Sequence, residues 1–523
     1  MGLPGVIRSE IVAVSLAMRR VRAQRLRELD FTPFAAGLAA VTPERRAALE
    51  ALLVDASITT LQDAMARGEL TAVELTVHHL DRIRRFDGAL HTVIELDPTA
   101  LDQARASDER RRAGSTRGLL DGIPLTIKDN IETAGPLRTT AGAMVLADNV
   151  ASADAPIVRV LREAGAVILA KANLSELAGA VSKTPGVSAV GGETANPHGV
   201  AFSPGGSSSG SAVGVAAGLT VVSVGTETSG SLLAPSAFNG VVGMKATHGR
   251  VDGAGIVPLV RGQDTAGPIG KTVADAAVVL AVLDGGSGLD PAALSADALQ
   301  GVTVGVLEQD ILAQRTPYEA TADNPAMLAR IDAGLRAAGA VAVTASVVPP
   351  EEYKQLQGAA TKVVFGGLAN DTMGYLARVG VEATTIDALR RYNLAAASAR
   401  MPRGQLFVDL ACMYGMSAAE YAAAAAEHSA TAAKLLDATF AAVSADVLVS
   451  ITNLHSPLYA TAGYPAVTVP LGLRASGMPT GVTFIGRRDA DAALVQCAFA
   501  FEQATNLRTP PIMGPTLPVT PPG

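Results

Sequence analysis

The chain has 523 residues, of which 49% are hydrophobic and 17% are charged, and its formal net charge is -7. This composition provides for a large, mostly aliphatic core and argues against intrinsic disorder. The negative charge gives no electrostatic reason to expect nucleic acid or anionic membranes as partners.

The cysteine content and the N-terminal segment favour a reducing, cytoplasmic location. Cys412 and Cys497 are too few for a disulfide framework or a metal cluster. The apolar stretch Ile11 to Met18 is followed at once by Arg19 and Arg20, which does not fit a secretory signal peptide. Since no run of about 18 uncharged apolar residues occurs, no membrane span is predicted.

Residues 1–60 are predicted to form helices with charged faces, as an N-terminal extension. A basic stretch in this extension contains Arg19, Arg20, Arg22, Arg25 and Arg27. We interpret it as a solvated helix face, because runs of like charge usually are. The alternative is an arm that docks on a partner protein.

The next segments alternate between helix and strand patterns. Thr71 and Glu74 have the spacing of a capping box, and apolar residues then recur at helical intervals. Short apolar runs at Ala166–Ala170 and Leu219–Val224 have the length of buried strands. This alternation predicts an α/β fold with a largely buried sheet.

Lys128 lies in the segment Gly122–Asn130, directly after the apolar residues Leu125 and Ile127. If the segment is extended, Lys128 and Asp129 point to opposite faces, so Asp129 need not keep the lysine charged. Desolvation lowers the pKa of a lysine, and a neutral lysine can act as a base. Lys128 is therefore a candidate base.

Two hydroxyl-rich motifs follow. Gly205–Ser211 reads GGSSSGS and Gly225–Ser231 reads GTETSGS. Glycines allow close approach of backbones and unusual backbone angles. The serines indicate nucleophile chemistry, which requires a base to take the hydroxyl proton.

Lys128 and the two motifs together resemble the amidase signature family of serine hydrolases, in the family's order and spacing. The resemblance extends over roughly residues 70 to 505. It implies a single large α/β domain with a mixed central β-sheet covered by helices on both faces. It also implies that Lys128 is the base, that Ser207 is a bridging serine before a cis peptide, and that Ser231 is the nucleophile.

The resemblance implies further parts of the site. The oxyanion hole is expected on the backbone of Thr228, Ser229 and Gly230 beside the nucleophile, and neither a metal nor an organic cofactor is required. Lys245 is a weaker candidate base, because it lacks a paired serine motif.

The same resemblance divides the chain into the extension, a core at 61–508 and a Pro-rich tail at 509–523. The core contains a variable, substrate-shaping section at about 285–450, and the tail is expected to run extended over the surface. Strands are predicted at Ala445–Ile451 and Thr480–Ile485, with a closing helix at Ala490–Ala504. Five apolar residues of the variable section are expected either to line an apolar pocket or to belong to the core: Phe365, Met373, Tyr375, Met413 and Tyr414.

Two departures from the family's commoner Gly-Gly-Ser-Ile-Arg pattern bear on the substrate. Ser229 is unfavourable if that position requires a positive φ, but it offers a hydroxyl to the site. Leu233 replaces an arginine that would pair with a carboxylate. The chain thus resembles the peptide amidase and aryl acylamidase branch, which accepts larger neutral substrates, and Leu233 and Ser208 are assigned to substrate binding.

A nucleophile elbow is an alternative interpretation of Gly206–Gly210, with Ser208 as the nucleophile. It would require one of the histidines His248, His428 or His455, and it leaves Lys128 unexplained. Taken singly, Ser207 also fits a helix N-cap, Ser231 a turn serine, and Lys128 an exposed ion-paired lysine.

We therefore expect an enzyme that hydrolyses amide bonds of neutral, fairly bulky small molecules through an acyl-enzyme. Carbamate (urethane) or ester cleavage would use the same chemistry. A glutaminase-type component of a transamidation complex is a further alternative, which would need a partner and an ammonia channel. The chain itself is expected to be a monomer or a homodimer.

Overall fold

A mixed β-sheet of eleven strands lies at the centre of the described fold. The structure is a computed structural model, which describes residues 22–53, 55–182, 184–286, 288–307 and 322–514. The strands are β1 Val93–Leu96, β2 Pro124–Lys128, β3 Val167–Ala172, β4 Val187–Ser188, β5 Gly192–Glu193, β6 Val222–Glu227, β7 Val242–Lys245, β8 Thr265–Gly270, β9 Thr303–Leu307, β10 Val341–Ala345, β11 Val447–Ile451, β12 Ala466–Leu473 and β13 Pro479–Ile485.

The helices of the described residues surround these strands. The longer ones are Pro43–Leu53, Ile58–Ala66, Ala72–Leu90, Ala100–Arg112, Pro156–Glu163, Ser209–Ala216, Val273–Leu283, Asn324–Ala337, Pro350–Gly367, Ile386–Ala395, Leu406–Tyr414, Ala418–Ala442 and Asp491–Thr505. The shorter ones are Ala35–Ala40, Glu176–Gly179, Leu233–Phe238, Met373–Val379, Ala397–Arg400 and Ser456–Tyr459.

The main sheet has the strand order β1-β3-β2-β6-β8-β7-β12-β13-β11-β9-β10 within the described residues. β2 pairs in parallel with β3 and β6, β9 pairs in parallel with β10 and β11, and the other neighbours are antiparallel. All residues of β2, β3 and β6 are buried, which requires cover on both faces of the sheet. The expected mixed, covered sheet is thus confirmed.

The helix Ala72–Leu90 begins as the sequence predicts. Thr71 Oγ1 accepts a hydrogen bond from Glu74 N at 3.0 Å, and the Glu74 carboxylate accepts one from Thr71 N at 3.1 Å. This reciprocal pair satisfies two backbone donors at the start of the helix. The strands predicted in the last third of the chain and the closing helix are also present, as β11, β13 and Asp491–Thr505.

Apolar side chains form two large clusters. The main cluster follows the sheet and includes Phe34, Leu49 and Ile58, so the predicted N-terminal extension shares the core of the sheet. The second, which we call the lobe cluster, contains the following buried residues: Ala141, Ala143, Val145, Leu146, Leu177, Ala180, Val181, Val257, Leu259, Val260, Val363, Phe365, Leu368, Met373, Tyr375, Leu376, Ala383, Leu389, Val408, Ala411 and Tyr421. Part of the variable section therefore packs with segments between residues 141 and 260 in a cluster separate from that of the sheet.

The five apolar residues singled out in the variable section divide into two groups. Phe365, Met373 and Tyr375 are buried in the lobe cluster, so they belong to the core. Met413 and Tyr414 are 61% and 60% exposed at the surface.

Residues 22–31, which we call the N-terminal strap, have an irregular backbone and not the predicted helix. Arg25 forms a buried ion pair with Asp87, with side chains only 7% and 1% exposed. Arg22 Nη2 donates to the carbonyls of Ala89 at 2.7 Å and Glu193 at 2.8 Å. Arg27 Nη1 donates to the Ala147 carbonyl at 2.8 Å.

The prediction of a solvated helix face was therefore wrong for Arg22, Arg25 and Arg27. The backbone carbonyls of Ala89, Ala147 and Glu193, together with the buried Asp87, offer these guanidinium groups better partners than water. Arg19 and Arg20 lie outside the described residues, as does the tail from 515 onward. Residues 509–514 are neither helix nor strand. Among the helices that the structure describes, none has both the length and the hydropathy to span a bilayer.

Candidate active site

Lys128 is the last residue of β2 and is completely buried. β2 and β6 run parallel, with Ile127 opposite Val224, so their carboxyl ends lie at the same edge of the sheet. This register brings Lys128 to the second hydroxyl-rich motif, although 98 residues separate Lys128 from Thr226.

The amino group of Lys128 is surrounded by neutral oxygen atoms. Lys128 Nζ lies 2.7 Å from Ser207 Oγ, 2.9 Å from Ser208 Oγ, 2.8 Å from Thr226 Oγ1 and 3.1 Å from the Thr226 carbonyl oxygen. Asn130 Nδ2 donates to the same Thr226 hydroxyl at 3.0 Å. Thr226 and Asn130 were not predicted as site residues, although both lie inside segments that the sequence analysis singled out.

Burial lowers the pKa of Lys128 to about 7, while the negative charges of Asp264 and Glu227 act in the opposite direction. Asp129 lies on the other side of the strand, where Thr140 N donates to its carboxylate at 3.1 Å and Lys171 Nζ is 3.7 Å away. The predicted separation of Lys128 from Asp129 is therefore confirmed. A large fraction of Lys128 is neutral near pH 7, as a base requires.

Ser207 and Ser208 lie in the loop that leads into the helix Ser209–Ala216. A cis peptide bond joins Gly206 to Ser207, so the expectation that Ser207 precedes the cis bond was wrong. Ser208 is fully buried, and its Oγ donates to the Thr226 carbonyl at 3.0 Å besides contacting Lys128. Ser208 thus supports the lysine, and its assignment to substrate binding stays a prediction.

Residues Thr228–Ser231, which we call the nucleophile turn, follow β6 directly. Ser208 N donates to the Ser231 carbonyl at 3.0 Å, which holds the half-buried Ser231 beside the serine loop. The positive φ of 78° belongs to Gly230 and not to Ser229, so the serine at 229 adopts no unfavourable angle of this kind. Within the described part of the chain, the backbone N–H groups of the turn donate to no acceptor. They thus remain available to stabilise negative charge.

Glu227 fixes the far side of the nucleophile turn. Its Oε2 accepts hydrogen bonds from Leu232 N at 2.9 Å and Leu233 N at 3.1 Å, at the start of the helix Leu233–Phe238. A carboxylate is favoured at a helix N-terminus, where backbone N–H groups are unpaired. The Leu233 side chain is fully buried in the main cluster, and its contact with substrate stays a prediction.

Asp264 is a site residue that the sequence analysis missed, because the segment Gln263–Ile269 was interpreted as structural. Its Oδ2 accepts hydrogen bonds from Leu259 N at 2.8 Å and Val260 N at 3.0 Å, and its Oδ1 accepts one from the Thr228 hydroxyl. Burial raises the pKa of Asp264 to about 7. A cleft of about 500 Å³, lined by Asp264, Arg261 and residues of the 248–258 segment, opens at this position.

The competing site assignments find no support in the geometry. His455 Nδ1 is bonded to Ser450 Oγ at 2.7 Å and His248 Nε2 to the Arg261 carbonyl at 3.0 Å, so neither pairs with Ser208 as an elbow would need. Lys245 Nζ donates to the Tyr464 carbonyl at 2.9 Å, and among the residues that the structure describes it forms no hydrogen bond with a serine. Across the described residues, no group of three or more His, Cys, Asp or Glu side chains is placed to hold a metal ion.

Replacing Asp264 with asparagine is expected to lower the pKa of Lys128 further, because one of the negative charges that raise it is removed. If Lys128 is the base, kcat/KM for amide hydrolysis rises with pH as the lysine loses its proton. This ascending limb of the pH profile should therefore move to lower pH in the variant. Asparagine keeps an oxygen acceptor for the Leu259 and Val260 amides, so the fold should be kept. A limb that stays in place or moves to higher pH in the D264N variant would contradict this electrostatic coupling.

Comparisons with known proteins identify the family to which the chain is similar. A family model described as Amidase matches residues 74–495. A probable amidase of Arabidopsis thaliana is 34% identical over 487 residues, which cover 87% of this chain and 91% of the plant protein. One component of the glutamyl-tRNA(Gln) amidotransferase of Synechococcus sp. is 32% identical, covering 87% and 97%. The structure of native peptide amidase from Stenotrophomonas maltophilia matches with a TM-score of 0.79 and 36% identity, covering 88% and 98%.

Proposed function

The chain belongs to the amidase signature family, and on that premise we propose that it hydrolyses the C–N bond of neutral, bulky carboxamides through Lys128, Ser207 and Ser231. The observation that carries the proposal is the 2.7 Å contact between Lys128 Nζ and Ser207 Oγ in a fully buried pocket. A neutral lysine there can take the proton of Ser207, and Ser207 can take that of Ser231.

In the acylation step, Ser231 Oγ forms a bond with the substrate carbonyl carbon while its proton passes to Ser207. The Ser207 proton passes in turn to the neutral amine of Lys128. The carbonyl oxygen becomes an oxyanion, and the unpaired backbone N–H groups of the nucleophile turn are suited to stabilise it. The C–N bond then breaks, and the leaving nitrogen receives a proton back through Ser207.

The deacylation step repeats this sequence with water. Water attacks the ester carbon and gives its proton to the same relay, the bond from Ser231 Oγ to the acyl carbon breaks, and Ser231 regains its proton. The products are a carboxylic acid and an amine or ammonia. Every proton transfer uses side chains of this chain, so the proposed cycle needs no cofactor.

The preference for neutral substrates rests on Leu233 and on the peptide amidase similarity. An arginine at this position would place a cation close to the nucleophile, where it would attract a carboxylate. Leucine brings no such charge to this position, which favours uncharged acyl groups.

Replacing Leu233 with arginine should increase the kcat/KM of an amide that carries a carboxylate, relative to a neutral amide of similar size. The new guanidinium would be poorly solvated next to the helix start and would gain from an anionic partner. The ratio of the two kcat/KM values measures this effect, and the melting temperature shows whether the variant folds. An unchanged ratio in a folded variant would show that residue 233 does not influence the acyl site.

Two alternative functions remain on the same site. Carbamates and esters present the same acyl carbon, so a screen of matched neutral amides, anilides, carbamates and esters tests the preference for amides. A role as the glutaminase-type component of a transamidation complex is supported by the similarity to the glutamyl-tRNA(Gln) amidotransferase component. Hydrolysis of a simple anilide by the purified chain alone would favour the amidase. Activity only on glutamine, and only with a partner, would favour the transamidation role.

A further inference from the structure

A π-helical turn of the variable section contacts a loop of the candidate active site. It is formed by residues Leu368–Thr372, between the helices Pro350–Gly367 and Met373–Val379. Single π-helical turns are rare in proteins and frequently occur at functional sites. The loop consists of residues 258–264, and we call it the carboxylate loop because it ends at Asp264.

Hydrogen bonds from the π-helical turn hold the backbone of the carboxylate loop at two places. Asp371 Oδ2 accepts hydrogen bonds from Arg261 N at 2.9 Å and from the Tyr421 hydroxyl at 2.6 Å. The buried Thr372 hydroxyl donates to the Pro258 carbonyl at 2.6 Å. A carboxylate that accepts a backbone N–H forms one of the stronger hydrogen bonds in proteins.

The packing between the same two segments is also close. A Cβ atom built on Gly367, directly before the π-helical turn, would lie 2.0 Å from the Leu259 carbonyl oxygen and 2.9 Å from Val260 Cγ2. No side chain fits at position 367 without displacing the carboxylate loop. The variable section therefore determines where this loop lies.

Asp264 joins the carboxylate loop to the nucleophile turn. Its Oδ2 accepts hydrogen bonds from Leu259 N and Val260 N within the loop, and its Oδ1 accepts one from the Thr228 hydroxyl. Hydrogen bonds and short stretches of backbone thus connect Asp371 in the variable section to Thr228 in the nucleophile turn.

We propose that Asp371 is a positioning residue that fixes the nucleophile turn through the carboxylate loop and Asp264. Its role is to keep the Asp264 carboxylate within hydrogen-bonding distance of the Thr228 hydroxyl, not to contact the substrate. Backbone N–H groups stabilise an oxyanion best when they are held in place before the reaction, so a displaced turn lowers kcat. This inference rests on the proposed amidase function and adds a residue of the variable section to its active site.

Replacing Asp371 with alanine should lower kcat for a neutral amide about 10- to 100-fold and leave KM nearly unchanged, because the lost positioning matters in the transition state. Asp371→Asn should restore most of kcat, since a carboxamide oxygen can still accept both hydrogen bonds. The variants are compared at a pH above the ascending limb, so that a shifted pH profile does not enter the comparison. The melting temperature shows whether each variant folds.

A double-mutant cycle tests whether Asp371 acts through Thr228. Thr228→Val has nearly the same shape but lacks the hydroxyl that donates to Asp264. In the Thr228→Val background, Asp371→Ala should lower kcat by less than about twofold further, because the connection is already broken. Asp409→Ala is the control, since Asp409 is also a partly exposed aspartate of the variable section but pairs with Arg390 at 2.8 Å. It should leave kcat near the value of its background.

Two further measurements make the test independent of any one variant or substrate. Thr372→Val takes the place of Asp371→Ala in the cycle if the alanine variant does not fold, because it releases the same loop at the Pro258 carbonyl. The rate at which a fluorophosphonate probe labels Ser231 is a second readout that needs no amide. It should follow the same pattern as kcat.

An effect of Asp371→Ala that is equally large in the Thr228→Val background would overturn the proposal, since Asp371 would then act independently of the nucleophile turn. So would an unchanged kcat in a folded Asp371→Ala variant, or a loss that Asp371→Asn does not restore. A parent protein that reacts with the probe but hydrolyses no amide contradicts the proposed amidase function alone. The labelling rates then decide the role of Asp371.

Discussion

Replacing Ser231 with alanine is expected to lower kcat for amide hydrolysis by about 10³-fold or more, with the fold kept. The substitution removes the oxygen that forms the acyl-enzyme in the proposed mechanism. The turn itself is held by backbone atoms, through Ser208 N to the Ser231 carbonyl, and by the Glu227 carboxylate. Steady-state kinetics on a neutral amide, with the melting temperature as a folding check, would measure the effect.

Covalent labelling identifies the nucleophile independently. A fluorophosphonate probe should modify Ser231 in the parent protein, and peptide mapping locates the modified residue. Ser208→Ala is the matched serine control, because it changes the surroundings of Lys128 but leaves Ser231 in place. Labelling that maps to Ser208 in the parent, or that persists in S231A, would contradict the assignment of Ser231.

Replacing Lys128 with alanine is expected to remove most amide hydrolysis and the pH dependence that belongs to the base. In the parent, kcat/KM should rise with pH through an apparent pKa of about 7, because burial brings the pKa of Lys128 to that value. Below this pH the lysine is protonated and cannot accept the Ser207 proton, whereas above it the neutral amine can. The pH profiles of parent and variant on a matched amide and ester make the comparison.

Two other variants make the test of Lys128 specific. Lys128→Arg should not restore activity, because a guanidinium stays protonated in proteins. Lys245 is a matched control, since burial also lowers its pKa, to about 8, but its amino group donates to backbone carbonyls. Lys245→Met should keep the ascending limb.

Ester hydrolysis should survive better than amide hydrolysis in Lys128→Ala, because an alkoxide leaves more easily than an amine. A Lys128→Ala variant with the parent's limb and amide rate would show that Lys128 is not the base.

The separate elements of the site could be predicted from the sequence, because each depends on neighbouring residues. Apolar neighbours placed Lys128 on a buried strand, and the two hydroxyl-rich motifs marked the loop and the turn. Alternation of polarity also predicted that Lys128 and Asp129 face apart. These features depend on a few consecutive residues, and the structure has them where the sequence indicated.

The contacts that join those elements were not accessible in the same way. Thr226 reaches Lys128 because β2 and β6 pair in a particular register, and Asp264 reaches Thr228 through a fold that spans 36 residues. The side chain of Asn453 lies against the backbone of Gly230 across an even larger separation in sequence. No local pattern encodes such distances. The prediction of a solvated helix face for the basic stretch was wrong for the same reason, because Asp87, the partner of Arg25, is distant in sequence.

The N-terminal strap also determines where this protein can be shortened. The matched family region starts at residue 74, but Arg25 and the apolar residues Phe34 to Leu61 lie before it and belong to the same folded body. A chain trimmed to the family boundary would lose the Arg25 guanidinium that pairs with Asp87. It would also expose the face of the helix Ala72–Leu90 that the earlier helices cover. The unit that folds is therefore longer than the region that the family model matches, and truncated versions should keep Arg25 and the helices that follow it.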